Sequence, residues 1–338
     1  MPTKRIVSSK SITMGGKAPI SVQTMLKNSF TSYSYDDLFI LKCYGADILR
    51  FSIKGEYRGD ELKKFISSSP ISLVLDVKNI KKQAIDALKY GIDAIRINPS
   101  LLTKNDIIEI IKAASDNRAI IRIGTNDGSI KGSDPIEEII KTIEIAESLS
   151  FNNLVLSIKS SSVERTYSLY SKLDSLTPYP LHIGLTESGD RIGGTVRSTI
   201  VLYELLKKGI GNTIRYSLAG SEKDEVRAGT ELLATLGHKQ NYLNLVICPS
   251  CDRATFNTGV FYNKISDELF RITYALKKKI TLAIMGCTLN GIGEGKEADI
   301  GISGCGDKIV IFKKGYVVDK VDYNSLFDAL KKQIESIA

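Results

Sequence analysis

Three of the chain's five cysteines stand in a pattern that suits metal ligation. Cys248-Pro-Ser-Cys251 follows the apolar run LNLVI, and Cys287 follows the run ITLAIMG. A β-α-β unit would make those two runs neighbouring strands and bring the remote third thiol to the CxxC pair. Three thiolates can hold three irons of a cubane cluster, leaving the fourth iron to another ligand. Cys305 could supply it, completing a four-thiolate site for a cluster or for a structural zinc. Glu294, in the glycine-rich stretch NGIGEG, is the other candidate. Its carboxylate oxygen would hold iron less tenaciously than sulfur and so suits a position that exchanges ligand for substrate. Free thiols are the third reading. An odd cysteine count crowded into the last third of the chain is not a disulfide framework, and Cys43, inside the helical segment LFILKCYG, reads as a small buried apolar side chain.

A second set of residues is defined by position rather than by motif. Eight short β-branched runs cover residues 20–25, 46–53, 71–77, 93–98, 119–125, 154–159, 181–187 and 213–218, and charged or polar residues stand at their C-terminal ends. These are Arg50, Asp76, Arg96 with Asn98, Arg122 with Asn126, Lys159, Glu187, and Arg215 with Ser217. Stretches of helical periodicity separate the runs, such as IKKQAIDALKYG and NDIIEIIKAASD, and the eightfold alternation predicts a (β/α)8 TIM barrel. Its strand ends would converge on one mouth. Four arginines and Lys159 around that mouth predict a polyanionic ligand, most simply a diphosphate. Two loops add to this: the glycine-rich segment 189–198, which opens a helix, and the segment 219–225 after the eighth run. Helix N-termini and the last βα loops of barrels are frequent phosphate sites.

The alternation stops near residue 237. The remainder reads as a small α+β domain: strand, helix, strand, a glycine-rich loop, another strand, a hairpin with a KKG turn, and a last helix. The predicted domains are 1–236, binding substrate, and 237–338, carrying the cysteines. With 338 residues, 43% of them hydrophobic and 25% charged, the chain can bury a core and is neither a staple-dependent scaffold nor a disordered tail. No apolar run is long enough for a membrane span, and the start MPTKRIVSSKSITMGG shows no secretory pattern, so no membrane and a cytoplasmic location are expected. A net charge of +8 fits either a nucleic-acid binder or an enzyme of phosphorylated substrates. A zinc-stabilised nucleic-acid binder would need a basic stripe with stacking aromatics. Here the cations of interest sit singly at strand ends, and no nucleic-acid partner is expected. A cluster-free barrel acting on phosphorylated sugars is the other enzyme reading.

The ordered segments SVQTM, GADILRFSI, AIRINP, IRIGTNDGS, LHIGLTESG, GIGNTIRYSLA, CPSC, GCTLNGIGE and ADIGISG resemble the 4-hydroxy-3-methylbut-2-enyl diphosphate synthase family over nearly the whole chain. The pair CPxC and GCxxNGxGE is specific to that family. The resemblance implies a two-domain oxidoreductase of the methylerythritol phosphate route to isoprenoids, reducing 2-C-methyl-D-erythritol 2,4-cyclodiphosphate to 4-hydroxy-3-methylbut-2-enyl diphosphate. It implies a 4Fe-4S cluster on Cys248, Cys251, Cys287 and Glu294, with Cys305 outside it. It further implies diphosphate contacts from Arg50, Arg96, Arg122, Asn126, Lys159, Arg215 and Ser217, and Glu187 as catalytic acid. Flavodoxin or ferredoxin would donate electrons, and the enzyme would be a homodimer. The chain departs from the family pattern at Lys78, where histidine is usual and where a lysine could still pair with phosphate. It departs at Ile292, where proline is usual, which should loosen the loop presenting Glu294, and in LKNSFTSYS after the first strand.

Overall fold

The computed structural model describes residues 4–78, 80–127 and 134–337. Gly128 and Ser129, which end the segment IRIGTNDGS, lie outside the described residues. The chain divides into two compact units, Met1–His238 and Lys239–Ala338.

The first unit opens with a small antiparallel hairpin, β1 (Val7–Ser8) and β2 (Thr13–Met14). Strand and helix then alternate eight times: β3 (Ser21–Met25), α1 (Tyr35–Tyr44), β4 (Ile48–Phe51), α2 (Gly59–Ser68), β5 (Ser72–Asp76), α3 (Lys81–Lys89), β6 (Ala94–Ile97), α4 (Lys104–Asp116), β7 (Ile120–Asn126), α5 (Pro135–Ser148), β8 (Leu154–Lys159), α6 (Val163–Leu176), β9 (His182–Ile183), α7 (Arg191–Lys207), β10 (Thr213–Ile214) and α8 (Glu222–Thr235). The strands pair in parallel from β3 to β8 in sequence order, and β10 joins β3 to β9. The ring is nearly closed by a bridge between Leu156 and Leu181 and by the Leu156 N–H donating to the Pro180 carbonyl at 2.9 Å. This is the expected TIM barrel.

Alternation along the strands sorts its interior. Ile48, Val74, Ala94, Ile120 and Val155 form one buried cluster with Val7 and Met14 of the hairpin, an apolar floor plugging the barrel. Side chains on a strand return to the same face every second residue. The next inward positions are therefore Arg50, Asp76, Arg96, Arg122 and Ser157, so the floor gives way to charge within one step.

The seventh and eighth strands are much shorter than the runs 181–187 and 213–218 suggest. At Gly184 an added Cβ would lie 2.7 Å from the Arg215 carbonyl oxygen, an approach closer than side chains on a regular ladder allow. Glu187 then turns out of extended structure altogether, at φ +51°.

The second unit is a five-stranded mixed sheet in the order β11 (Leu243–Ile247), β12 (Ile280–Met285), β13 (Ile300–Cys305), β14 (Lys308–Lys313), β15 (Tyr316–Val321), the first three parallel and the last two antiparallel. Its helices are α9 (Thr258–Ala275), α10 (Thr288–Gly295) and α11 (Leu326–Glu335). One expectation is overturned here: the glycine-rich segment is the helix α10, not a loop. Two of its glycines, Gly291 and Gly295, serve packing, while Gly293 faces open space. A Cβ at Gly291 would meet Met285 Cβ at 2.9 Å, and one at Gly295 would meet Phe312 Cζ at 2.8 Å and Ala283 Cβ at 3.0 Å. Each helical glycine costs about 1 kcal/mol relative to alanine, a cost offset by laying the helix directly on the sheet. Ile292 does not loosen the segment. It packs against the cluster of Ala283, Met285, Ala298 and Phe312, and Cys248 packs against the same cluster. A proline at that position would remove a helical N–H.

Candidate active site

The barrel mouth gathers most of the strand-end cations. A cavity at this mouth is lined by Arg50, Arg96, Lys159, His182, Arg215 and Ser217, among others. Arg50, Arg96 and Arg122 are each no more than 5% exposed. Asp76 bridges the first two: Arg50 Nη2 donates to its Oδ2 and Arg96 Nη1 to its Oδ1, both at 3.2 Å. Arg96 Nη2 also donates to the Gly124 carbonyl at 2.7 Å, and Arg122 Nη1 to Gln23 Oε1 at 2.7 Å. Arg215 Nε faces Glu225 Oε2 at 3.6 Å.

Arg50, Arg96, Arg122, Arg215 and Lys159 meet Asp76 and Glu225 here, and the imbalance shows in the proton affinities of Arg50, Arg122, Lys159 and Asp76. Burial, then the charges of Arg215 and Arg96, push the Arg50 pKa down to about 10 despite Asp76. Arg122 is pushed well down by burial and by Arg50 and Arg96. Burial, then Arg96 and Arg50, push Lys159 down to about 8. Burial would raise Asp76, but Arg50 and Arg96 outweigh it and hold the carboxyl below its usual range. His182, buried beside Thr213, is held well below the ordinary imidazole value by burial and by Arg122, and is therefore neutral. The Nε atoms of Arg50, Arg122 and Arg215 and Asn126 Oδ1 are buried with no hydrogen-bond partner among the described residues. Buried donors without acceptors are costly, and a multivalent anion in the cavity would offer acceptors to Arg50 and Arg215 and offset the excess charge, while Asn126 Oδ1, itself an acceptor, calls for a donor.

The remaining strand-end residues are placed differently. Asn126 pairs across the ladder with Lys159. Lys78 is exposed and is not among the cavity's lining residues, two positions beyond Asp76. Glu187 is exposed in the seventh βα loop, next to the lining residue Thr186, and its left-handed backbone is a conformation that costs a non-glycine residue energy and recurs at functional sites.

In the second unit Cys248 and Cys287 follow the adjacent parallel strands β11 and β12, at their C-terminal ends, and the Cys248 N–H donates to the Ile284 carbonyl at 2.9 Å. The loop bearing Cys248 and Cys251 is fastened to the one bearing Cys287: the Thr255 N–H donates to the Gly286 carbonyl at 2.8 Å, and a Cβ on Gly286 would touch Ala254 Cβ at 2.7 Å. Thr258 Oγ1 donates to the Cys248 carbonyl at 2.7 Å, and the Ser250 N–H donates to Cys248 Sγ at 3.4 Å. The three cysteines and Cys305 are all free. Glu294 is exposed near the C-terminal end of α10, seven residues from Cys287. Two helical turns put it on nearly the same face about 10 Å along the axis. Among the described residues, no three His, Cys, Asp or Glu side chains converge as a metal site. What the fold brings together is the loops that carry the soft donors.

Residues 3–230 match the family model of the GcpE TIM-barrel domain, and residues 244–336 match that of the GcpE protein C-terminal domain. The chain belongs to the GcpE family. One relative of this GcpE chain, from Clostridium acetobutylicum, is named 4-hydroxy-3-methylbut-2-en-1-yl diphosphate synthase (flavodoxin) and is 33% identical over 347 residues, 98% of either chain. Another of the same name, from Caldanaerobacter subterraneus, is 37% identical over 341 residues, 96% of this chain and 94% of the relative. Among solved structures, Yersinia pestis dihydropteroate synthase superposes with a TM-score of 0.51 at 14% identity, over 69% of this chain and 98% of that one. That likeness shows the barrel fold alone.

Several residues of this GcpE site carry no signal in its sequence. Glu225 sits in the acidic segment SEKDE, which reads as a solvated helix start, and yet it is fully buried. Gln23 and His182 are visible only as inward strand positions. Gly124 is better marked, since a Cβ there would lie 2.6 Å from Arg96 Nε and 2.8 Å from Ser157 Oγ. Gly124→Ala is expected to displace the Arg96 guanidinium and lower kcat/KM for the natural substrate about 10- to 100-fold. Steady-state kinetics beside a melting curve would check this, and an unchanged kcat/KM in a folded variant would remove the constraint.

Proposed function

We propose that this GcpE chain is a 4-hydroxy-3-methylbut-2-enyl diphosphate synthase: an oxidoreductase of the methylerythritol phosphate route that converts 2-C-methyl-D-erythritol 2,4-cyclodiphosphate to 4-hydroxy-3-methylbut-2-enyl diphosphate, consuming two electrons and releasing water. The observation that carries this reading is the charge-unbalanced set of Arg50, Arg96, Lys159 and Arg215 lining the cavity at the barrel mouth, with Arg122 buried behind them, in a chain that matches the two GcpE domains.

In this reading residues 1–236 bind substrate. The guanidinium groups and Lys159 hold the diphosphate, with Asn126 and Ser217 as neutral partners and Lys78 at the rim. Neutral His182 adds no further cation. Glu187 protonates the departing oxygen from its loop. Residues 237–338 hold a 4Fe-4S cluster through Cys248, Cys251, Cys287 and Glu294, a donor set supported by three free thiols on two fastened loops. When bound, such a cluster supplies single electrons and a Lewis-acidic iron. Flavodoxin or ferredoxin delivers the electrons, the assembly is a homodimer, and the enzyme works in the cytoplasm.

The direct test is an anaerobic assay with the cyclodiphosphate and a strong reductant. Formation of the linear hydroxylated diphosphate is expected; a cluster-loaded protein that forms none overturns the reading.

Lys159 makes the site sensitive to pH. With its pKa pushed down to about 8 in the free site, it is charged below that pH and neutral above it. A bound diphosphate favours the charged form and raises the pKa again. KM for the cyclodiphosphate should therefore rise as pH rises through about 8, and Lys159→Met should flatten that limb. A wild-type KM constant from pH 7 to 9 would contradict this.

A further inference from the structure

Glu225 stands in the first turn of α8, where an acidic side chain ordinarily lies in water near the helix N-terminus. Instead it is fully buried. Its Oε1 accepts from Lys27 Nζ at 3.0 Å and from the Leu218 N–H at 3.1 Å, and its Oε2 accepts from Thr24 Oγ1 at 2.8 Å while facing Arg215 Nε at 3.6 Å. Lys27 Nζ donates in addition to the Leu218 carbonyl at 2.8 Å. One carboxylate thus joins the first strand of the barrel, the loop after it, the loop after the last strand, and a cation of the cavity.

The need for such a joint follows from the topology. β10 has only two residues in its ladder with β3 and β9, and Arg215 comes one residue beyond it, held through its N–H to the Ile183 carbonyl at 3.1 Å. Elsewhere the cations sit within strands, or at the end of the six-residue β8 for Lys159, where the ladder fixes the backbone. At the β9–β10–β3 seam the backbone leaves the direction of the side chain open, and a buried charge is the strongest available constraint.

We infer that Glu225 is a positioning residue that aims the Arg215 guanidinium into the cavity and fastens the first βα loop to the eighth, so that the substrate's diphosphate meets a preset cation. This rests on the diphosphate reading of the mouth given above.

The test is a double-mutant cycle on the anaerobically purified holoenzyme: Glu225→Gln, which keeps the shape and removes the charge, Arg215→Gln, and both together. KM and kcat for the cyclodiphosphate and the competitive inhibition constant of inorganic pyrophosphate are measured, with circular dichroism to confirm folding. A charge-assisted contact to the anion corresponds to about 10- to 100-fold in affinity. Glu225→Gln is expected to raise KM and the pyrophosphate constant about tenfold with kcat within about twofold, and in the Arg215→Gln background to add less than about twofold. Independent, multiplying effects would mean that Glu225 does not act through Arg215 and would overturn the inference. Weakened binding in Arg215→Gln with none in Glu225→Gln overturns the positioning role and leaves the diphosphate site standing. Unchanged binding in both removes the site itself, and the inference with it. Should Glu225→Gln fail to fold, Glu225→Asp, with the charge kept one methylene short, enters the same cycle with the same readings.

Discussion

Arg122→Gln is expected to make the protein more stable and its grip on the cyclodiphosphate weaker. Arg122 is buried with no carboxylate in contact among the described residues. Among the described residues Nη1 donates to Gln23 and Nε has no partner, and of the charges acting on it Arg50 and Arg96 outweigh Asp76. The same burial and repulsion that push its pKa down penalise the folded state, because the unfolded chain hydrates the cation freely. Glutamine discards the charge, and its shorter side chain gives up the contact with Gln23. Replacing an unfavourably buried charge is worth about 1–3 kcal/mol, which raises the melting temperature of a domain this size by several degrees. In the function proposed above, the same substitution deletes a donor to the diphosphate, worth about 10- to 100-fold in KM. A thermal melt and steady-state kinetics on one preparation decide it. A variant that melts lower and binds as tightly as wild type would mean that Arg122 is structural and that the mouth is not built around an anion.

Cys287→Ser is expected to bleach the anaerobically purified protein, remove its iron and abolish reductive turnover. The structure separates that result from misfolding. Cys287 occupies the N-cap of α10 and makes no side-chain cap hydrogen bond, and serine is among the favoured N-cap residues. Its hydroxyl stays protonated at neutral pH and offers a hard oxygen in place of a soft thiolate. The apo form should thus fold at least as well while the ligand is lost. Two controls sharpen the reading. Pyrophosphate binding should stay within about twofold, since the residues lining the mouth all belong to the first unit. Cys305→Ser should keep its colour. A brown Cys287→Ser, or a bleached Cys305→Ser, would overturn the ligand assignment.

The trade between stability and function seen at Arg122 extends to the whole mouth. An apolar floor formed by Ile48, Val74, Ala94, Ile120, Val155 and the hairpin residues Val7 and Met14 supplies packing, and the step above it concentrates like charges that oppose folding. Such unpaired charge is retained where a ligand completes it. Glu225 and Asp76 are the internal compensation, each shared between two cations.

Reading the chain alone located the eight strands, because short β-branched runs recur between stretches of helical periodicity. It located the cations too, because inward positions at strand ends face a common mouth in any parallel barrel, whatever the details of packing. The CPSC and GCTLNGIGE segments carried the cysteine pattern in the same local way. Burial, by contrast, is a property of what arrives from elsewhere in the chain. Glu225 looks like a solvated helix start until Thr24 and Lys27, some 200 residues earlier, close over it. The glycines of NGIGEG look like a loop until Phe312, Ala283 and Met285 show that Gly291 and Gly295 let a helix touch a sheet. The seventh and eighth strands look long until the close approach of Gly184 to Arg215 ends their ladder. Periodicity and residue type are local and survive in a string of letters; desolvation, backbone approach and the sharing of one carboxylate between two cations depend on long-range contacts, and only the folded chain decided them.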